Sequence, residues 1–337
     1  MTQGKTLTIR SSPHLVGGDS VDKIMLHVVL ALLPVSAFAI YEFGLAALLV
    51  LATAVISCVG TEFLWCRTAG RASTIGDWSA TVTGLLYGLT LPPGLALWMV
   101  AVGGVCAIGV GKLLFGGLGY NPFNPALVGR ALLQAAFPVA MTSWPLIHEN
   151  RFTSLPSSTL AWPFAKPQYD AISGATPLSG WKFEGVTTEA SDLFLGNISG
   201  STGETSAVLI LAGGLYLVVR RVMSWRIPIM ILVTVAVFSG LLRWSDPERY
   251  AGPAFMLLSG GLMLGAVFMA TDPVGSPMTQ TGCVIYGVLI GLLVVTIRVW
   301  GGMPEGVMYS ILLGNAATPL IDQWIQPQAY GTAKERV

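Results

Sequence analysis

Charge is what this sequence has least of. Only 10% of its residues are Asp, Glu, Lys or Arg, where a soluble domain carries about 25%. A chain so poor in charge cannot face water over most of its surface, which excludes a soluble globular domain. The few charges nearly cancel, 18 basic against 17 acidic for a net +1. That removes nucleic acid as a partner. Cysteine is scarce too: Cys58, Cys66, Cys106 and Cys283 are all there is. None form a Cys-x-x-Cys pair and all lie in or beside apolar runs, which argues against a disulfide framework. They read as small buried residues, or as a share of a metal site completed by a partner subunit. Within the chain no resident metal site is read. No residue stands out as an acid–base or nucleophilic catalyst for a small substrate, and there is no low-complexity or coiled-coil segment.

What is there is apolar. Hydrophobic residues make up 53% of the chain and the mean hydropathy is +0.69. Many of the 40 glycines sit inside apolar runs, where they let membrane helices approach closely. A membrane-spanning helix needs about 20 mostly apolar residues. Runs of that kind lie at 24–41, 45–65, 80–91, 95–115 and 126–141, and again at 206–219, 227–242, 254–270, 283–299 and 307–325. The third run of each half is short. The first follows a polar stretch with Lys5, Arg10 and Lys23 and lacks a small-residue cleavage site. It is therefore expected to be the first span and not a signal peptide. The expected fold is an all-α integral membrane protein of about ten transmembrane helices. Its divisions are an N-terminal segment (1–23), a first five-helix repeat (24–141), a long polar loop (142–205), a second five-helix repeat (206–325) and a polar tail (326–337).

Lys and Arg in short loops set the orientation. With the N-terminus in the cytoplasm, inside segments hold twelve of the 18 basic residues, Arg220, Arg221 and Arg226 among them. Ten spans then put both termini inside and the long loop outside. Five is odd, so the halves must be inverted relative to each other if they are repeats. Two paired features support a repeat. The third span of each half ends in a proline break, Leu91-Pro92-Pro93-Gly94 and Thr271-Asp272-Pro273-Val274-Gly275-Ser276-Pro277. The fifth carries Asn ahead of Pro, in Asn121-Pro122-Phe123-Asn124-Pro125 and Asn315-Ala316-Ala317-Thr318-Pro319. Proline frees a carbonyl, and in a bilayer such groups need another partner. The breaks are ordinary kinks or they line a pathway. Asn124, Asn315 and Asp272 are the candidate ion-path residues. Asp272 sits where a carboxylate and freed carbonyls could hold a hard cation, with a helix N-cap role as the rival. Glu62, Asp77, Lys112 and Arg130 are the other ionisable residues in or near spans, most of them where snorkelling or capping suffices.

The long loop carries the chemistry. Asp170-Ala171-Ile172-Ser173-Gly174-Ala175-Thr176-Pro177 matches the Asp-x-x-Ser/Thr-Gly-Ala-Thr/Ser signature of proteins that receive FMN from FAD through a transferase. The Thr176 hydroxyl is the nucleophile and the flavin phosphate becomes a diester. Gly174 and Ala175 leave room for the phosphate, and the Ser173 hydroxyl can donate to a phosphate oxygen. Asp170 could hold the peptide or a metal during transfer. Thr176-Pro177 favours an extended backbone, expected to present the side chain outward. Trp162, Phe164, Tyr169, Trp181 and Phe183 surround the motif, as ring-stacking partners or as an interfacial belt. Lys166 and Lys182 are candidates to offset the phosphate charge.

Four segments, in order over nearly the whole chain, carry a family resemblance: Ser11-Ser12-Pro13-His14 through Lys23-Ile24-Met25-Leu26, Asn121 to Arg130, the Ser173-Gly174-Ala175-Thr176-Pro177-Leu178 loop, and Met269-Ala270-Thr271-Asp272-Pro273. The chain resembles the RnfD subunit of the Rnf electron-transport complexes, whose sister is the NqrB subunit of the sodium-pumping NADH:quinone oxidoreductases. The sister has a longer N-terminal extension than the 23 residues found here. The resemblance implies two inverted five-helix repeats similar to urea transporters. It implies a subunit of a redox-driven Na+ or H+ translocase in the bacterial inner membrane, coupling electron flow between NADH and ferredoxin to ion movement. Covalent FMN at Thr176, a noncovalent riboflavin in the membrane part, the other Rnf subunits (A, B, C, E and G), a flavin transferase and membrane lipid come with it, and the flavin loop is expected in the periplasm. Rival readings are the sister subunit, a urea-transporter-like channel and a passive scaffold. The flavinylation signature speaks against the last two.

Overall fold

The structure, a computed structural model, describes residues 20–144, 152, 155–163, 176–186, 188–195, 200–203 and 206–326. Among them there is helix and no strand. The first half contains α1 (Val21–Phe43), α2 (Leu45–Thr68), α3 (Ser79–Leu89), α4 (Leu97–Gly109), α5 (Pro125–Ala136) and the single turn α6 (Pro138–Met141). The connection holds α7 (Pro177–Ser179) and α8 (Ala190–Leu195). The second half has α9 (Ala207–Val219), α10 (Arg226–Ser245), α11 (Pro253–Leu258), α12 (Leu262–Leu264), α13 (Gln280–Trp300) and α14 (Val307–Trp324). Among the described residues, five helices are long and apolar enough to cross a membrane: α1, α2, Leu97–Phe115 with α4 as its core, α10 and α13.

Helix positions follow the apolar runs, with two differences. The run 254–270 is not one helix. It breaks at Ser259-Gly260-Gly261 and resumes as α12 and a π-helical turn over Gly265–Met269. Gly260 has φ +66°, a conformation that glycine adopts without strain. The run 126–141 breaks before Pro138, which starts α6 and cannot continue a helix from α5.

Close packing comes from small residues at helical spacing. In α3, a Cβ at Gly84 would lie 2.7 Å from the Val55 backbone, and one at Gly88 would press on Leu51 and Ala54 of α2. In α13, side chains at Gly287 and Gly291 would collide with Met230 and Thr234 of α10. Four-residue spacing puts each glycine pair on one helix face, so the backbones approach closely.

The breaks are satisfied, as a low-dielectric medium requires. The end of α3 is tied down by the connection: Thr202 and Gly203 N–H donate to Leu91 and Leu89 C=O at 3.2 and 2.7 Å, and Thr202 Oγ1 donates to Gly88 C=O at 2.8 Å. The end of α11 is tied down by Arg298. This fully buried guanidinium of α13 donates Nη1 to Met256 C=O and Nη2 to Ser259 C=O, at 2.5 and 2.8 Å.

Among the described basic residues, three are therefore not loop charges. Lys112, Arg130 and Arg298 are 2, 8 and 0% exposed. A count of loop charges includes them, yet they face protein and carry no information on sidedness. Glu62 and Lys112 form an ion pair at 2.8 Å, so snorkelling does not account for them. Asp77 accepts from Ser79 N–H at 2.8 Å, beside the start of α3.

Candidate functional site

Thr176 is the N-cap residue of α7, with Pro177 at the first helical position. Its backbone is extended, φ −67° and ψ 152°, as a residue before proline should be. The side chain does not point outward as expected. Thr176 is only 4% exposed. Its Oγ1 accepts from Ser179 N–H at 3.2 Å and donates to Ser179 Oγ at 3.1 Å, while Ser179 Oγ donates to Thr176 C=O at 2.9 Å. A threonine that starts a turn has its own backbone to bond, and that contact draws the hydroxyl inward. Asp170, Ser173, Gly174 and Ala175 lie outside the described residues, as do Phe164, Lys166 and Tyr169.

Two anchors hold the segment that follows. Leu178 is buried and packs on the α11 break: a Cβ on Gly260 would lie 2.5 Å from Leu178 Cδ1. Lys182 donates to the carbonyls of Arg298, Gly301 and Met303 at 2.9, 2.5 and 3.0 Å. It thus caps the end of α13, where cations are favoured. Partial burial draws its ammonium below the usual lysine range. Trp181 packs on Phe255, with ring centroids 6.2 Å apart, and Trp162 is exposed.

Thr176 and Ser179 line a cavity of about 650 Å³, together with Trp144, Phe183, Tyr309 and Met308. That size lies within the ordinary range for small-molecule and cofactor sites. Arg130 of α5 and Glu305, just before α14, also line it. They are joined by an Nη2–Oε2 contact of 2.6 Å. Arg130 Nε has no hydrogen-bond partner among the described residues although it is buried. An unmade bond of that kind costs about 1–3 kcal/mol. Of the aromatic residues named from the sequence, Phe183 is at the cavity. No local pattern connects Trp144, Tyr309, Arg130 and Glu305 to Thr176. Glu305, a lone acid in the Gly301-Gly302-Met303-Pro304-Glu305-Gly306 connection, was the available signal.

The candidate ion-path residues meet elsewhere. Asn124 caps α5 through Ala126 N–H at 3.0 Å, and its Nδ2 donates to Met269 C=O at 3.1 Å, where α12 and its π turn end. Its backbone N–H donates to Asn315 Oδ1 at 3.4 Å. Asn315 Nδ2 donates to Gly275 C=O at 2.9 Å and to Tyr286 Oη at 3.0 Å. The two asparagines therefore meet, one from each half. Their prolines differ: Pro125 starts α5, whereas Pro319 lies inside α14. Asp272 accepts from Val274 N–H at 3.2 Å, two residues on; this is a turn contact, and Thr279 caps the next helix. With Asn121, Asn124 and Lys112, Asp272 lines a second cavity of about 90 Å³. Behind Lys112, its Nζ contacts both Glu62 oxygens at 2.8 Å and Ser79 Oγ at 2.6 Å. In the sequence these charges stand apart; the fold pairs them. Cys58, Cys66 and Cys283 are free and buried, and Cys106 is free and half-buried.

Comparison with known proteins adds the lineage. The chain is 41% identical over 337 residues to the D subunit of the proton-translocating ferredoxin:NAD(+) oxidoreductase complex of Clostridium ljungdahlii, with 97% of each chain covered. It is 43% identical over 332 residues to the D subunit of the Na(+)-translocating ferredoxin:NAD(+) oxidoreductase complex of Acetobacterium woodii, covering 97% of this chain and 96% of that one. The D subunit of the ion-translocating oxidoreductase complex of Stutzerimonas stutzeri is 43% identical, with 93% of each chain covered. A family model matches residues 8–331, and the chain belongs to the NQR2, RnfD, RnfE family.

Proposed function

We propose that this chain is a membrane subunit of an ion-translocating oxidoreductase complex, one that couples electron transfer between NADH and ferredoxin to Na+ or H+ movement, and that it carries FMN as a phosphodiester on Thr176. One observation carries the second part. The threonine that ends the flavinylation signature lines a cavity of cofactor size, walled by aromatic residues and the Arg130–Glu305 ion pair. The names of the similar proteins favour the ferredoxin-linked complex over the sodium-pumping NADH:quinone oxidoreductase. When bound, the flavin supplies electron transfer; the chain anchors, orients and screens it from water. No activity apart from the complex is proposed.

The membrane arrangement belongs to the same reading. Ten spans form two inverted five-helix repeats in the bacterial inner membrane, with both termini cytoplasmic and the Thr176 connection periplasmic. The short α3 and the broken α11–α12 stand at corresponding places in the two halves, which supports the repeat. Electrons from cytoplasmic NADH must then cross most of the membrane to reach Thr176. Other subunits of the complex (A, B, C, E and G) supply that route, and a flavin transferase loads the threonine. A noncovalent riboflavin in the membrane part completes the proposed cofactor set.

In-gel fluorescence tests the flavin. The purified protein, made with the transferase present, should fluoresce under ultraviolet light on a denaturing gel. A dark band would refute the assignment.

Asp272, Asn124 and Asn315 are proposed for the ion path. Carboxylate and freed carbonyls supply oxygen ligands of the kind a hard cation takes. Asp272→Ala should cut redox-driven ion uptake by the assembled complex at least tenfold, while the fluorescent band persists. Full ion pumping in that variant would remove Asp272 from the path.

A further inference from the structure

The hydroxyl that is to receive the flavin is shut in. Thr176 is 4% exposed, and its Oγ1 is engaged with Ser179 N–H and Ser179 Oγ at 3.2 and 3.1 Å. A group transfer needs its reacting atoms about 3–3.5 Å apart and aligned. The cavity beside Thr176 is sized for a cofactor, not for a cofactor held in another enzyme's active site. Residues 176–186 form a short strap that keeps the hydroxyl enclosed. The strap's backbone bonds are its own: Gly180, Gly185 and Val186 N–H donate to the carbonyls of Thr176, Trp181 and Gly180, at 2.9, 3.1 and 3.2 Å. Side chains fasten it to the second half. Leu178 is buried against the α11 break at Gly260, Trp181 rests on Phe255, and Lys182 holds three carbonyls at and beyond the end of α13. Phe183 to Val186 are exposed.

We infer that this strap is a latch, which lifts for flavin attachment and closes again over the product. This rests on the flavin reading above. With the latch open, Thr176 Oγ1 reaches the transferase. The oxygen bonds to the flavin-side phosphorus of FAD, the bond from that phosphorus to the bridging oxygen breaks, and AMP leaves with the bridging oxygen. The hydroxyl proton is released to solvent. Lifting breaks side-chain contacts and spares the turn, because the turn's backbone bonds are internal. The rate at which the folded chain accepts flavin is then proportional to the fraction of molecules that are open. Lys182 holds that fraction down most strongly, since hydrogen bonds from a charged donor are the strong ones. On closing, Leu178 and Lys182 return to the same seats, which lie on α11 and α13 and leave Oγ1 to carry the ester.

The test is flavin attachment to the folded full-length chain, purified from cells without the transferase and then mixed with transferase, FAD and Mg2+. In-gel fluorescence followed over time gives the rate. Lys182→Met keeps the stem and removes the donors, and should accept flavin about tenfold faster than wild type. Leu178→Ala should also be faster, and it serves as the second probe if Lys182→Met does not fold. Lys182→Arg can still donate to the carbonyls and should stay close to the wild-type rate. Lys112→Met breaks the buried pair with Glu62 away from the strap, so it should label as wild type does. Equal rates in wild type, Lys182→Met and Leu178→Ala would overturn this inference and leave the flavin assignment standing. A gain in Lys112→Met as large as in Lys182→Met would overturn it too, because the opening would then be general unfolding. A wild-type band that stays dark when the transferase is present throughout expression would remove the flavin assignment itself.

Discussion

Lys112→Met should destabilise the protein by about 3–5 kcal/mol, the range for breaking a buried ion pair from one side. Lys112 and Glu62 are 2% and 1% exposed as side chains, and their charged atoms are 2.8 Å apart. Methionine matches the lysine stem in length, so packing changes little. What changes is Glu62, which keeps a hydrogen bond from Thr74 but loses the counter-charge that Lys112 supplies. Ser79 Oγ loses a donor at the same time. A drop in unfolding temperature in detergent, with a lower yield of monodisperse protein, would register the effect. Adding Glu62→Gln should return most of the loss, because a pair removed together leaves no uncompensated charge. If the single and double variants unfold alike, the pair is not the cause. Lys112 also lines the inner cavity, so Lys112→Met tests whether that wall is kept rigid by electrostatics.

Thr176→Ala should remove covalent flavin completely while sparing the fold. The ester needs an oxygen at this position, and alanine has none. The structural loss is a single N-cap bond to Ser179, worth about 0.5–2 kcal/mol. The turn keeps its other anchors, buried Leu178 and the three carbonyls that Lys182 holds. Thr176→Ser should retain the flavin, since serine offers the same nucleophile. Once esterified, Oγ1 has no hydrogen to give to Ser179 Oγ, but it can still accept from Ser179 N–H. Peptide mass spectrometry around residue 176 should show the FMN adduct in wild type and Thr176→Ser and none in Thr176→Ala. An adduct surviving in Thr176→Ala would place the attachment elsewhere.

Much of the helix layout was legible because hydropathy is a local property. Whether residues 45–65 prefer lipid to water depends on those residues alone, and α2 spans Leu45–Thr68. The motif at Thr176 was legible for a similar reason, since the signature is a short run of consecutive residues. The break inside 254–270 was harder. Ser259-Gly260-Gly261 is apolar enough to pass as helix, and Gly260 turns only where Leu178 and Arg298 meet it. The outward hydroxyl was expected from backbone preference, which was right about φ and ψ and silent about the cap that turns Oγ1 inward.

The sequence by itself determined that this chain lives in a membrane, where most of its helices lie, and which threonine carries the flavinylation signature. Each of these depends on composition or on neighbouring residues. The tertiary structure alone decided the partners of the buried charges. Glu62 meets Lys112 across 50 positions and Arg130 meets Glu305 across 175. Asn124 finds Asn315 from the other half across 191. In a medium that cannot solvate them, charged and polar groups must find each other wherever the fold brings them. Only the packing of one half against the other puts Arg130, Glu305 and Thr176 around the same cavity.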